Sequence, residues 1–287
     1  MIETFRTLRW STWLGWQVES NWADWRLFLL YLVIKPVTGS LVLVCMYYAV
    51  KFAAGGSLRA DLLPFIYVSN ACFGLVGTVM FGMSYVVVTD REHYRMLKYI
   101  FISPAVFSSY FLGRGLARAL EGIVGGAITI IVGSILFADV RAGMSSGGFS
   151  PFWLFVYLGI GTVMLWACGM ILASAVLNMH RNGMFLSEGV AGVVFLLSGV
   201  VCPLSEFPLW MRLIGQCLPT TYWLEGMRRS ITGDVIEGTP LSGYSNSTLA
   251  FALVVTTVAL VIISQFFYRW SVNRAWRNGK IEETSGM

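Results

Sequence analysis

The sequence predicts an all-α integral membrane protein, with six transmembrane helices behind an interfacial N-terminal helix, a short cytoplasmic helix after the second span, and an external re-entrant helical hairpin before the last. Three observations carry this expectation. Of 287 residues, 56% are hydrophobic and only 12% charged, and the mean hydropathy is +0.70, which does not suit a domain folded in water. Apolar runs of about 20 residues, the length that crosses a bilayer, recur along the chain. Lys and Arg gather unevenly at the ends of those runs.

Residues 1–26 hold Trp10, Trp13, Trp16, Trp22 and Trp25. On a helix, Leu14, Val18, Trp22 and Trp25 share a face opposite Gln17, Asn21 and Asp24. Indole rings favour the headgroup layer, so this segment is expected to lie along the cytoplasmic leaflet, either as a working part or as a plain lipid anchor. Glu3, Arg6, Arg9, Glu19 and Asp24 interrupt any apolar run. No cleaved signal peptide is therefore expected, and the mature chain is expected to start at Met1.

Residues 27–287 form the second unit, with spans expected at 27–50, 62–88, 110–137, 151–177, 185–201 and 248–268. A cytoplasmic N-terminus puts Arg6, Arg9, Arg26, Arg91, Arg95, Lys98, Arg114, Arg118, Arg181, Arg269, Arg274, Arg277 and Lys280 inside. The outside receives Lys51, Arg59, Arg141, Arg212, Arg228 and Arg229. That bias places both termini in the cytoplasm. Gly74, Thr78 and Gly82 in the second span, and Gly122 and Gly126 in the third, allow close helix contact. No repeat relates spans one to three to spans four to six, which argues against an inverted-repeat secondary transporter.

Between the second and third spans, residues 90–104 are too charged and aromatic for a mere turn. Tyr94, Leu97, Lys98 and Phe101 fall at helical spacing among Arg91, Glu92 and Arg95, and Ser103-Pro104 marks the exit. Such a helix either docks into a groove of another protein or serves as an interfacial connector. Residues 202–247 hold two apolar pieces, neither long enough to span, with Arg212 in the first and Pro219 between them. They suit a hairpin that dips into the outer leaflet, or a surface loop, and no seventh span is expected.

Ionisable residues inside spans are costly and are candidates for a substrate pathway. Here they are Lys35 beside Pro36, the group Arg114, Arg118 and Glu121, and Glu188. Arg118 and Glu121 can pair at i,i+3, and Lys35 can snorkel to the cytoplasmic surface. Lys35 and Glu188, together with Tyr222 and Trp223 in the external segment, are the candidate pathway residues; the aromatic residues, 15% of the chain, could stack on sugars or simply gather at the membrane interfaces.

Several chemistries have no residues to carry them. Cys45, Cys72, Cys168, Cys202 and Cys217 include no C-x-x-C pair and no neighbouring His, so neither zinc nor disulfides are expected, and they are taken as small buried hydrophobes. Gly279-Lys280 is followed by Ile281 and lacks the upstream glycine of a phosphate loop, so the chain is not its own ATPase. His93 and His180 are the only histidines, neither in a metal-binding motif. No catalytic residue, metal site or bound cofactor is expected of this chain. The net charge of +5 is loop charge, which removes nucleic acid as a partner.

The order of these features resembles the permease of ABC-2 type ATP-binding-cassette exporters over nearly the whole chain. The resemblance rests on the interfacial helix, Pro36 in the first span, the acidic-to-Ser-Pro stretch 90–104, and the late segment with Pro203, Pro208-Leu209-Trp210 and 218–228. Where the family often has Gly-Thr-Leu after the acidic residue, this chain has Tyr94-Arg95-Met96-Leu97, which leaves subfamily and substrate open.

The resemblance implies a coupling helix within Asp90, Arg91, Glu92, His93, Tyr94, Arg95, Met96, Leu97, Lys98 and Phe101, docking on a separate nucleotide-binding ATPase present in two copies and holding ATP and Mg. It implies a homodimer of permeases joined by the first and fifth spans, where Ser187, Ala191 and Gly192 are small, in a prokaryotic plasma (inner) membrane with lipid as a partner. The function expected is that of a non-enzymatic, membrane-spanning subunit moving a lipid, glycan-lipid or amphipathic drug-like substrate out of the cytoplasm or inner leaflet. An ATP-independent secondary transporter or channel, and a membrane enzyme acting on lipid, are the rivals.

Overall fold

The computed structural model describes residues 2–20, 24–56, 59, 61–103, 107–146, 148–179, 183–233 and 241–277, and its regular structure is helical, with no strand among the described residues. In chain order the helices are α1 (Ile2–Ser20), α2 (Trp25–Ala53), α3 (Leu62–His93), α4 (Leu97–Ile102), α5 (Phe107–Leu136), α6 (Ala138–Ser146), α7 (Pro151–Leu177), α8 (Gly183–Leu197), α9 (Leu209–Cys217), α10 (Pro219–Thr232) and α11 (Asn246–Arg277). Asn21, Trp22, Pro104, His180, Arg181 and Lys280 lie outside the described residues.

Five helices, α2, α3, α5, α7 and α11, are long and apolar enough to cross a membrane. The fifth expected span is the exception: α8 has 15 residues, which rise about 22 Å where the apolar layer is about 30 Å thick. The apolar run continues to Val201, but Gly199 turns into the left-handed region at φ 70° and ends the helix first. The fourth expected span matches α7 at both ends. Pro151 fits there because the first helical position needs no N–H partner. The polar helix α6 was not expected; Val140 buries it against Leu63 and Tyr67.

α3 and α7 are the inner helices, and most of the surface of α2, α5 and α11 faces outward. Val68, Leu75, Val79, Met164, Leu165, Trp223, Leu224 and Leu253 form the main core between α3, α7, α10 and α11. A second cluster at the α4 end joins Met83, Val86, Leu97, Tyr110, Phe111, Met170 and Ala275. The small residues work as expected on α5, where Gly122 faces Leu75 and Thr78, and Gly126 faces the Ala71 carbonyl. Gly74, by contrast, has open space around it. α3 contains two π-turns, Gly77–Phe81 and Thr89–His93.

α1 ends at Ser20, and Trp25 already belongs to α2. Its most closely packed residues are Ser11 and Gly15, and Leu14 is partly buried against the cluster that holds Tyr110 and Phe111. Gly113 of α5 meets Ser11 and the Leu8 carbonyl so closely that a side chain there would collide with α1. Trp10, Trp13 and Trp16 point outward, as an interfacial helix requires. All five cysteines are free, but only Cys72 is buried; Cys45 and Cys217 are exposed, against expectation.

Candidate coupling and pathway residues

The segment after α3 is not one continuous amphipathic helix. Arg95, at φ 51°, takes the left-handed position more often given to Gly at a helix end. The chain reverses there, Met96 N–H bonds back to the Asp90 carbonyl at 2.9 Å, and a fresh helix starts at Leu97. Tyr94 therefore precedes α4 and does not line up with Leu97 as its spacing suggested.

This reversal divides the ten expected coupling residues. Asp90 is fully buried and accepts hydrogen bonds from Tyr110 Oη at 2.6 Å and Arg114 Nη2 at 3.2 Å. Arg91 is buried too; it donates to the Met179 carbonyl at 3.1 Å and pairs with Glu92 at 3.1 Å. Leu97 fills the core between Tyr110 and Met170, and Met96 is half-buried. His93, Tyr94 and Arg95 are exposed, as are Tyr99 and Ile102 of α4, which were not singled out from the sequence. Lys98 and Phe101 lie within α4, but their side chains fall outside the described residues.

One turn along α5 from Arg114, Arg118 forms the expected pair with Glu121 at 3.3 Å and also holds Glu19 of α1 at 2.6 Å. Burial pushes the Glu19 carboxyl above its usual range, against the opposing pull of Arg118. The first helix is thus tied by charge to the same face of α5 that anchors Asp90.

At the opposite, hairpin end lies a network that the sequence reading missed. Glu225, Arg228 and Arg229 of α10 are all buried. Glu225 accepts from Arg228 Nη2 and from Arg229 Nε, each at 2.9 Å. Arg228 also donates to Ser69 of α3 and to the Gly199 carbonyl, both at 3.3 Å, and lies 4.0 Å from the Phe65 ring centre. Arg229 donates to the carbonyls of Leu241 and Tyr244, both at 2.6 Å. The two arginines counted as external loop charges are therefore interior cross-links. Their i,i+3 and i,i+4 spacing from Glu225 was the available signal.

The four candidate pathway residues are not brought together. Trp223 is wholly buried, packs on Gly161 and donates its indole N–H to the Tyr157 carbonyl at 3.0 Å. Tyr222 is half-buried beside it. Lys35 and Glu188 are exposed on α2 and α8. Ser187, expected at a dimer surface, is half-buried and hydrogen-bonds to Ser84 of α3 at 2.8 Å. Among the described residues no group of three His, Cys, Asp or Glu could hold a metal.

A family model described as ABC-2 type transporter matches residues 5–232. No curated protein matches the chain.

Proposed function

Because the chain belongs to the ABC-2 type transporter family, whose members are multi-pass membrane permeases of ABC transporters working with an ATP-binding partner, we propose that it is the permease subunit of an ATP-driven exporter. It moves a lipid, glycan-lipid or amphipathic drug-like substrate out of the cytoplasm or inner leaflet of a prokaryotic plasma membrane. Two copies pair, and two separate ATPase subunits hold the ATP and Mg. Both termini and α4 face the cytoplasm. α8 makes a sixth, short crossing, its missing length covered by α9 and α10 dipping in as a re-entrant hairpin.

The observation that carries this reading is the construction of the segment 90–102. Its first two residues are buried anchors, Asp90 by an ion pair to Arg114 of α5 and Arg91 by hydrogen bonds to the Leu177 and Met179 carbonyls at the end of α7. Its remainder presents Tyr94, Arg95, Tyr99 and Ile102 outward. A push on that exposed surface reaches α5 through a buried charge pair and the end of α7 through hydrogen bonds to its carbonyls. Measuring ATPase recovered per permease in detergent tests the assignment. Charge reversal at Glu92 combined with Arg95→Glu is expected to lower recovery and transport-coupled hydrolysis, and unchanged values for both would remove it.

A further inference from the structure

Among the ionisable residues deep in the five long helices, Lys35 stands apart. Asp90, Arg114, Arg118 and Glu121 are paired within the chain. Lys35 has no carboxylate within reach among the described residues; its ammonium donates one hydrogen bond, to Tyr31 Oη at 2.5 Å. It sits about 15 Å along the helix from Trp25, at 1.5 Å per residue, which is well inside an apolar layer. A cation at that depth needs a partner.

Tyr31, Lys35 and Thr38 stand at i, i+4 and i+7, so they form one stripe, and all three are exposed. Leu30 and Ile34 beside them are exposed as well. Lys35 has further N–H groups to give. The Tyr31 hydroxyl, having accepted from Lys35, has its own proton free to donate. The stripe thus offers several donors and a positive charge, with apolar surface alongside and no acidic group. That combination suits a molecule with an acidic headgroup and an apolar tail.

We propose that Tyr31, Lys35 and Thr38 form a binding track for an amphiphile with an acidic, phosphate-like headgroup, with Lys35 as the counter-ion. The inference deepens the exporter reading by naming the substrate's chemistry, and it rests on that reading. Lys35 bears the charge, Tyr31 orients the ammonium and donates a second hydrogen bond, and Leu30 and Ile34 receive the tail.

The permease copurified with its ATPase and placed in phosphatidylcholine nanodiscs provides the test, with dodecyl phosphate, dodecanol and inorganic phosphate as probes. Expected are dodecyl phosphate binding at least tenfold tighter than dodecanol, little binding of inorganic phosphate, a tenfold loss for dodecyl phosphate in Lys35→Met, near-normal binding in Lys35→Arg, and a smaller loss in Tyr31→Phe. Equal binding of dodecyl phosphate and dodecanol, or no loss in Lys35→Met, would overturn the proposal. Inorganic phosphate binding as tightly as dodecyl phosphate would overturn the amphiphile and leave a free-anion site. ATPase recovery from the same preparation is the separate check on the exporter reading. An ATPase that is present and active while Lys35→Met binds normally sinks only the headgroup track.

Discussion

Arg114 and Asp90 face each other at 3.2 Å with side chains 2% and 0% exposed, joining α5 to the end of α3 across 24 residues of sequence. Arg114 is already under-satisfied, since its Nε and Nη1 find no partner among the described residues. Removing the carboxylate would leave the guanidinium buried and uncompensated.

Asp90→Ala is accordingly expected to cost about 3–5 kcal/mol. Thermal melting in detergent should show a much lower midpoint, and Asp90→Ala with Arg114→Met should recover most of the loss, because the stranded charge is then gone.

Tyr99→Asp and Ile102→Asp should separate docking from folding. Both positions are exposed, so stability should move by no more than about 0.5 kcal/mol. ATPase recovery should nevertheless fall several-fold. Leu97→Asp, two residues before Tyr99 but buried, should lower the melting point instead; if all three variants behaved alike, the division of this segment into anchor and docking face would be wrong.

Glu225→Ala strands two arginines in the interior and is expected to destabilise the hairpin end by about 3–5 kcal/mol. Limited proteolysis should then open the region 209–244 before the rest of the bundle. Glu225→Gln keeps an acceptor and should be milder.

Gly113→Val places a branched side chain against Ser11 and the Leu8 carbonyl, with an overpacking cost of about 1–3 kcal/mol. The expected result is release of α1 from α5, seen as faster proteolytic removal of the first 20 residues. Gly74→Val, where space is open, should leave that rate unchanged.

How much of this was legible depended on whether a local pattern or a distant partner decided the outcome. α7 could be placed to the residue because an unbroken apolar run begins at a proline. α8 was overrun by four residues, because Gly199 ends the helix while the hydrophobicity continues. In 90–101, helical spacing was visible, but the reversal at Arg95 accompanies the anchoring of Asp90 by Tyr110 and Arg114, partners 20 and 24 residues away. Arg228 and Arg229 were misplaced because a topology count treats every arginine as solvated. Their true environment depends on Ser69, Gly199, Leu241 and Tyr244, contributed by three other parts of the chain. Lys35 was visible from the start, since a charge within an apolar run needs no structure to be noticed.

The π-turn at Gly77–Phe81 sets the rotational phase between the two halves of α3. Before it, Ser69 meets Arg228 at the hairpin end; after it, Asp90 meets Arg114 at the α4 end. A π-turn takes up one residue more than an α-turn, so deleting one residue within it would let an ordinary α-turn form with the phase beyond it largely kept. The same deletion in the α-helical turns on either side would rotate everything beyond it by about 100°. Ser69 would keep its partner while Asp90 swung away from α5. Outside the π-turn, the residue count of α3 between positions 69 and 90 behaves like the tooth number of a gear, where losing one disengages the two ends.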